Sequence, residues 1–441
     1  MLRLPLRPPL REPLRDAFLR AGNISQAIRA LFANNQQGVW YDPSDFSTLF
    51  QDSAGATPVT AVEQPVGLMR DKSGRNNHAS QITAASRPVV SARVNLLTKT
   101  EQFDDAAWVK TGCTVSANVL IPSAVAEVHH ITQALSSTTQ GVFVEVVVEK
   151  QSTVDKVTLY PGGAATFCHF NLTAMSMVRE SGVTSSTIEA LSGNQYKLTA
   201  AWPAGVAYDR LRVYASSGSE GASAVAGDGT SGVKLIRAQL NAGTATRYQR
   251  VNTASDYDTA GFPMYLRFDG VDDGMLTAAV NFTATDKMTA WAGVRKLGDT
   301  LGIVAELSAG AGANNGGFYV VSGNDSGAGY STLSKGDAAA VTGHVGQFLV
   351  AAPHTAVLTA IHDIVGDLSR IRVNGVNGTD GIADKGLGNF GNHPLFIGRR
   401  NNVSLPLNGN LYGLIIRGTV SSAAEIAVTE RYVANKTGVT L

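Results

Sequence analysis

The stretch DKSGRNNHAS, residues 71–80, places Asp71, Ser73 and His78 within eight positions, the residue types of a nucleophilic triad. Asp71 and His78 are also types that ligate metals. Against both chemistries stand Ser73-Gly74 and Asn76-Asn77, which are turn formers, and the lack of a strained nucleophile turn between the acid and the imidazole. The stretch therefore reads as a strand-edge turn. Glycosidic chemistry needs two carboxyls about 5–9.5 Å apart. Asp272 and Asp273 are adjacent, so in a strand they point to opposite faces unless the chain bulges, and Asp273-Gly274 suits a turn. His129 and His130 share a strand-like segment and split between its two faces, a poor chelate. His169, His344, His354, His362 and His393 show no ligand spacing. No metal site is assigned; a calcium in the loops, held by Asn324, Asp325, Asp380 or Asp384, stays open, although no ordered acidic loop supports it.

Sugar recognition has a different requirement: an aromatic platform with amide, guanidinium or carboxylate groups in exposed loops. Residues 310–330 and 398–402 supply Asn314, Asn315, Asn324, Asp325, Tyr330, Arg399, Arg400 and Asn401 as ligand-binding candidates. Each is equally an ordinary turn residue. Trp40, Trp108, Trp202 and Trp291 lie in strand-like contexts and are expected in the core.

The elements that position these residues follow from composition and pattern. The chain has 441 residues, 44% hydrophobic and only 16% charged, with 46 glycines, a balance typical of β-rich structure with neutral polar loops. A net charge of +1 gives no basic footprint for nucleic acid. No apolar run approaches the ~18 residues of a membrane span, and prolines interrupt the N-terminal MLRLPLRPPLREPL, so neither membrane insertion nor secretion through a signal is indicated. Cys113 and Cys168 are read as small buried hydrophobes, with a bridge between them left open.

Arg3, Arg7, Arg11 and Arg15 recur every four residues among prolines, which favour an extended segment. Two short amphipathic helices follow. Leu14, Ala17, Phe18 and Ala21 mark the first stripe and Ile24, Ile28, Leu31 and Phe32 the second. Those stripes need a surface, either the chain's own next domain or a larger assembly. From residue 36 to 421 short strand patterns dominate, among them GVFVEVVVE (141–149), DKVTLYPGG (155–163), YKLTAAWP (196–203), DRLRVYASS (209–217) and GVKLIRAQL (232–240). In the first, Val142, Val144, Val146 and Val148 share one face. Asn374-Gly375 predicts a tight hairpin, and SSAAEIAVTERYVANKTG predicts a helix with Ser422 as cap, Glu425 at capping-box distance and Gly438 beyond its end.

Residues 264–441, through FDGVDDGM, IRVNGVNG and LFIGRRNN…LNGNLYGLIIRGTVSSAAEIAVTERYVA, resemble concanavalin A-like (laminin-G-like) jelly rolls. Residues 95–250, through NLLTKTEQFDDAAWVKTGCTVSAN, VHHITQAL and GDGTSGVKLIRAQLNAGTATRYQRV, resemble a carbohydrate-binding-module-like unit of phage head-spike and tail-fibre proteins. Residues 38–92 resemble a leader that in such phage proteins runs directly into a strand like FDGVDDGM. The expected class is mostly β: two antiparallel β-sandwich (jelly-roll) domains with a short helical N-terminal anchor. The expected organisation is 1–36 as anchor, 38–92 as the first part of the jelly roll, 95–250 as an inserted sandwich and 255–441 as the rest; three serial units are the alternative. The resemblance implies a phage virion fibre or spike that adheres to a host-surface glycan without catalysis. It also implies a homotrimer docked to tail, baseplate or capsid through residues 1–36. A head-decorating spike and a glycan depolymerase are the alternatives.

Overall fold

The computed structural model describes residues 24–324 and 327–441. The chain is mostly β and divides into two compact units. Residues 24–91 and Pro263–Leu441 build one unit; Ala92–Phe262 build the other.

The first unit is a sandwich of an eight-stranded and a nine-stranded antiparallel sheet. Its core takes alternate residues of both, among them Leu266, Phe268, Met275, Val304, Phe318, Tyr330, Leu395 and Leu414. In the eight-stranded sheet, Asn408–Arg417 is the hub. Lys287–Lys296 pairs along one edge; along the other lie Tyr265–Asp269 (Leu266 opposite Leu411) and Gly38–Tyr41 (Trp40 opposite Ile415), one after the other. Val89–Ser91 continues the sheet beyond Tyr265–Asp269, with Ser91 opposite Tyr265. In the nine-stranded sheet, Ala79–Ser80 pairs with Met275–Asn281. Short strands from the first 91 residues thus enter both sheets.

The outer face of the eight-stranded sheet carries Trp40, Trp291, Val357 and Ile415, and two helices cover it. Residues 24–30 are helical and bring Ile28, Leu31 and Phe32 onto these side chains; Ala423–Thr437 brings Tyr432, Val433 and Ala434. The C-terminal helix starts at Ser422 with a complete capping box to Glu425 and ends at Gly438 in the left-handed conformation. It approaches so closely that a β-carbon on Gly293 would stand 2.7 Å from Thr437 and 3.0 Å from Val433. Asn374 and Gly375, both at positive φ, turn Leu368–Val373 into Val376–Asn377.

The second unit packs two six-stranded antiparallel sheets over a core that includes Val142, Val144, Val146 and Val148. The five strand patterns appear as Val142–Lys150, Lys156–Tyr160, Gln195–Trp202, Tyr208–Ser216 and Val233–Ala242. All four tryptophans of the chain are buried, and Cys113 and Cys168 are free thiols, the latter pushed up to about 12 by burial.

Candidate functional site

In the 71–78 turn Asp71 is an acceptor hub. Its Oδ1 takes the backbone N–H of Trp40 (2.9 Å) and of Ser73 (2.8 Å); its Oδ2 takes the Ser73 hydroxyl (2.7 Å) and the Asn77 N–H (3.1 Å). His78 Nδ1 accepts from the Asp71 N–H at 3.0 Å. The serine hydroxyl and the imidazole are therefore committed to different atoms of Asp71, and the carboxylate fastens the turn to strand Gly38–Tyr41. Asn77 adds a bond from its side chain to Gly38 O (2.8 Å). This is a scaffold.

Among the described residues, the ligand-binding candidates do not converge. Asn314 and Asn315 lie in the loop after Gly302–Leu307, at the sheet end where the Ser308 N–H meets Pro394 O. Arg399, Arg400 and Asn401 follow Ile397 at the opposite end, where the Ile303 N–H meets Leu405 O. Asn324 ends strand Gly317–Asn324 at that second end, since Ser322 pairs with Gly302; Asp325 lies outside the described residues. Tyr330 is fully buried, its hydroxyl donating to His354 O (2.9 Å), and Lys296 Nζ sits 5.0 Å from its ring centroid. It faces the core of the sandwich and offers no exposed platform. Arg400 makes a two-pronged pair with the fully buried Glu306 (2.8 and 2.9 Å), so its charge is neutralised within the fold. Asn315 accepts from Lys335 Nζ through its side chain.

The anchor residues divide likewise. Arg3, Arg7, Arg11, Arg15 and Phe18 lie outside the described residues. Ile28, Leu31 and Phe32 are buried against Trp40 and Trp291, with Ile24 packed beside them, so this stripe covers the chain's own sheet and cannot serve as a docking surface. Arg75 holds the end of this segment through Phe32 O (3.1 Å) and the Asn35 side chain (2.9 Å).

Sequence reasoning missed the neighbourhood of FDGVDDG. Residues 270–274 leave the strand, as the turn reading of Asp273-Gly274 expects, and bring one carboxylate oxygen each of Asp269, Asp272 and Asp273 within 4.8 Å of one another, so the divergence expected of a regular strand does not apply. Burial, followed by repulsion from Asp269 and Asp272, raises the pKa of Asp273 to about 6. An all-oxygen set of this kind suits a hard cation such as calcium. However, Asp269 Oδ1 already accepts the Val271 and Asp272 N–H groups, Asp273 Oδ2 accepts the Asp269 N–H, and Asp272 Oδ2 accepts the Ser86 hydroxyl. Of the other calcium candidates, Asp380 pairs with Arg370, and Asp384 accepts from Gly386 N.

Arg399 bridges two loop tips at this rim, donating to Asp272 O and Val403 O (both 3.1 Å), while Gln81 donates to Gly274 O (2.6 Å). Three aliphatic side chains stand out from these tied loops: Ile82, Val271 and Val403, 77%, 68% and 69% exposed. The signal was present in the sequence as single aliphatics inside turn segments, QITAA, DGVDDG and NNVSLP. Arg399 and Asn401 are the candidates that this rim retains.

No protein-family model matches the chain, and no curated protein is significantly similar to it. Solved structures align with parts of the chain at low similarity. The carbohydrate-binding module CBM40 of a Ruminococcus gnavus sialidase, bound to α2,3 sialyllactose, aligns at 15% identity over 33% of this chain and 83% of that one, TM-score 0.27. The NanB sialidase of Streptococcus pneumoniae aligns at 13% identity over 37% of this chain and 27% of its own, TM-score 0.27, and a botulinum neurotoxin serotype D binding domain at 10% over 42% and 45%, TM-score 0.29. The chain spans about a quarter of the length of the sialidase structures it matches.

Proposed function

We propose that this protein is a structural component of a bacteriophage virion, a fibre or spike that adheres to glycan on the host surface and does not transform it. The rim of the first unit carries the proposal: Ile82, Val271 and Val403 project from loops cross-tied by Arg399 and Gln81, beside Asn401 and the acidic turn. A rigid sandwich that presents apolar groups and hydrogen-bonding groups together on fixed loops suits the alternating apolar and hydroxyl surface of a sugar. The virion assignment rests on the resemblance of 38–92 and 95–250 to phage proteins. Residues 1–23 take the docking role, since the stripe from Ile24 onward is packed inside.

Binding of the full chain to host-envelope fractions and a glycan array tests the adhesion. A Val271→Asp, Val403→Asp double variant is expected to bind at least tenfold more weakly with an unchanged melting temperature; a wild type that binds no envelope fraction sinks the reading. A chain lacking residues 1–23 should fold and yet be missing from purified particles, and its normal incorporation would refute the docking role.

A further inference from the structure

Register pairing lays two rows of side chains across the outward face of one sheet in the Ala92–Phe262 unit. Tyr160, Arg212, Thr132 and Val109 form one row; Thr158, Tyr214, His130 and Thr111 form the next. The alternate residues Leu159, Val213 and Ile131 point into the core, which fixes the direction of the rows. Within the rows the groups are in close order. The Arg212 guanidinium lies 5.5 Å from the Tyr160 ring centroid and Nη1 donates to the Tyr214 hydroxyl at 3.3 Å, while the Tyr214 and His130 rings are 4.7 Å apart.

Three polar atoms on these adjacent positions have no partner: Arg212 Nε, Thr132 Oγ1 and His130 Nδ1. A buried polar atom left unsatisfied opposes folding, because its hydration is lost without replacement. Three at neighbouring register positions are not what folding stability alone selects. His129, next in sequence, shows the contrast, with both ring nitrogens held by the carbonyls of Gly112 and Val225. His130 is 7% exposed, and burial followed by the Arg212 and His129 charges lowers its pKa to about 4, so the ring is neutral at pH 7. Arg212, Thr132, Tyr160 and Tyr214 are each partly exposed. Arg212 also differs from nearby arginines. Arg210 pairs with Asp209, Arg179 with Glu220 and Arg237 with Glu145, whereas the contacts of Arg212 are an aromatic face and a phenol.

We propose that this face is a second ligand site, one that binds a carboxylate-bearing sugar: Arg212 takes the carboxylate, Thr132 and His130 are linked to ring hydroxyls through an ordered water, and Tyr160 and Tyr214 support the apolar face of the ring. The assignment rests on the glycan-adhesion reading but uses residues of the other unit.

Calorimetric titration of the full chain with galacturonate and glucuronate oligomers, and with the neutral galactose oligomer, tests it. The wild type should bind a uronate and bind the neutral oligomer at least tenfold more weakly. Arg212→Gln and Thr132→Val should each weaken uronate binding at least tenfold. Thr132→Val should also leave the melting temperature unchanged or raise it, because the hydroxyl it removes has no partner. Unchanged binding by Arg212→Gln, equal binding of the neutral oligomer, or no binding of either uronate by the wild type overturns the assignment and leaves rim adhesion standing. Uronate binding by a wild type that fails to bind any envelope fraction overturns the adhesion reading instead.

Discussion

Asp71 serves four donors with one carboxylate, three of them backbone N–H groups: Trp40 on strand Gly38–Tyr41, and Ser73 and Asn77 in its own turn. Removing it strands the buried Trp40 N–H and frees the 73–77 turn. Asp71→Ala is expected to destabilise the first unit by about 3 kcal/mol, read by urea unfolding, since hydrogen bonds to a charged group contribute ~1.5–3 kcal/mol each and partial rehydration offsets some of the loss. A change below 0.5 kcal/mol would contradict the scaffold role. Asp273 makes the opposite contribution. With a folded pKa near 6 against an ordinary value of 3.8, the native state holds a proton that the unfolded state has lost between those pH values. Its contribution is therefore present in acid and lost as pH rises from about 4 to 6. The buried His362, depressed to about 3, acts in reverse, losing stability as pH falls below 6.5. The test is accordingly a difference: Asp273→Asn should raise the melting temperature relative to wild type more at pH 7.5 than at pH 4.5. An equal effect at both values would mean that the carboxylate is not strained.

Among the elements, those with local signals were legible. The helix at Ala423–Thr437 announced both of its caps, Asn374-Gly375 its hairpin, and the alternating valines of Val142–Lys150 their buried face. What could not be read depends on pairings between distant residues. Leu49–Phe50, Leu68–Met69 and Ala79–Ser80 are two residues long, too short for any periodicity. The Arg212–Thr132 and Tyr214–His130 neighbours exist only because Tyr208–Ser216 pairs with His130–Thr138. Tyr330 follows a Gly-rich loop pattern yet falls on an inward strand position. The Ile24–Phe32 stripe was legible as apolar, but its two possible partners were indistinguishable until Trp40 and Trp291 were seen beneath it. Burying Ile28, Leu31 and Phe32 contributes ~1.5–3 kcal/mol each. A chain starting at residue 37 should therefore lose several degrees of melting temperature and show red-shifted tryptophan emission. Unshifted emission would mean that this helix does not seal the sheet.

For the whole molecule, the decisive geometry is where the chain leaves the first unit and where it returns. Ser91 and Tyr265 are register partners in adjacent antiparallel strands, so the two ends are one strand spacing apart, a gap that a hairpin loop of about 2–5 residues closes. The second unit has its own core of Val142, Val144, Phe170, Leu211 and Leu240, built without side chains of the first. If Ala92–Phe262 is an inserted module, replacing it by a short Gly-Ser linker between Ser91 and Pro263 should leave the first unit folded. Its near-ultraviolet spectrum should be that of packed Trp40 and Trp291, and it should unfold cooperatively. The excised Ala92–Phe262 segment, expressed alone, should likewise melt cooperatively and keep the uronate binding assigned to Arg212. A linked first unit that stays unfolded would show that the Val89–Ser91 and Tyr265–Asp269 ladder forms only with the second unit in place, and that the two sandwiches are a single folding unit joined through that strand pair.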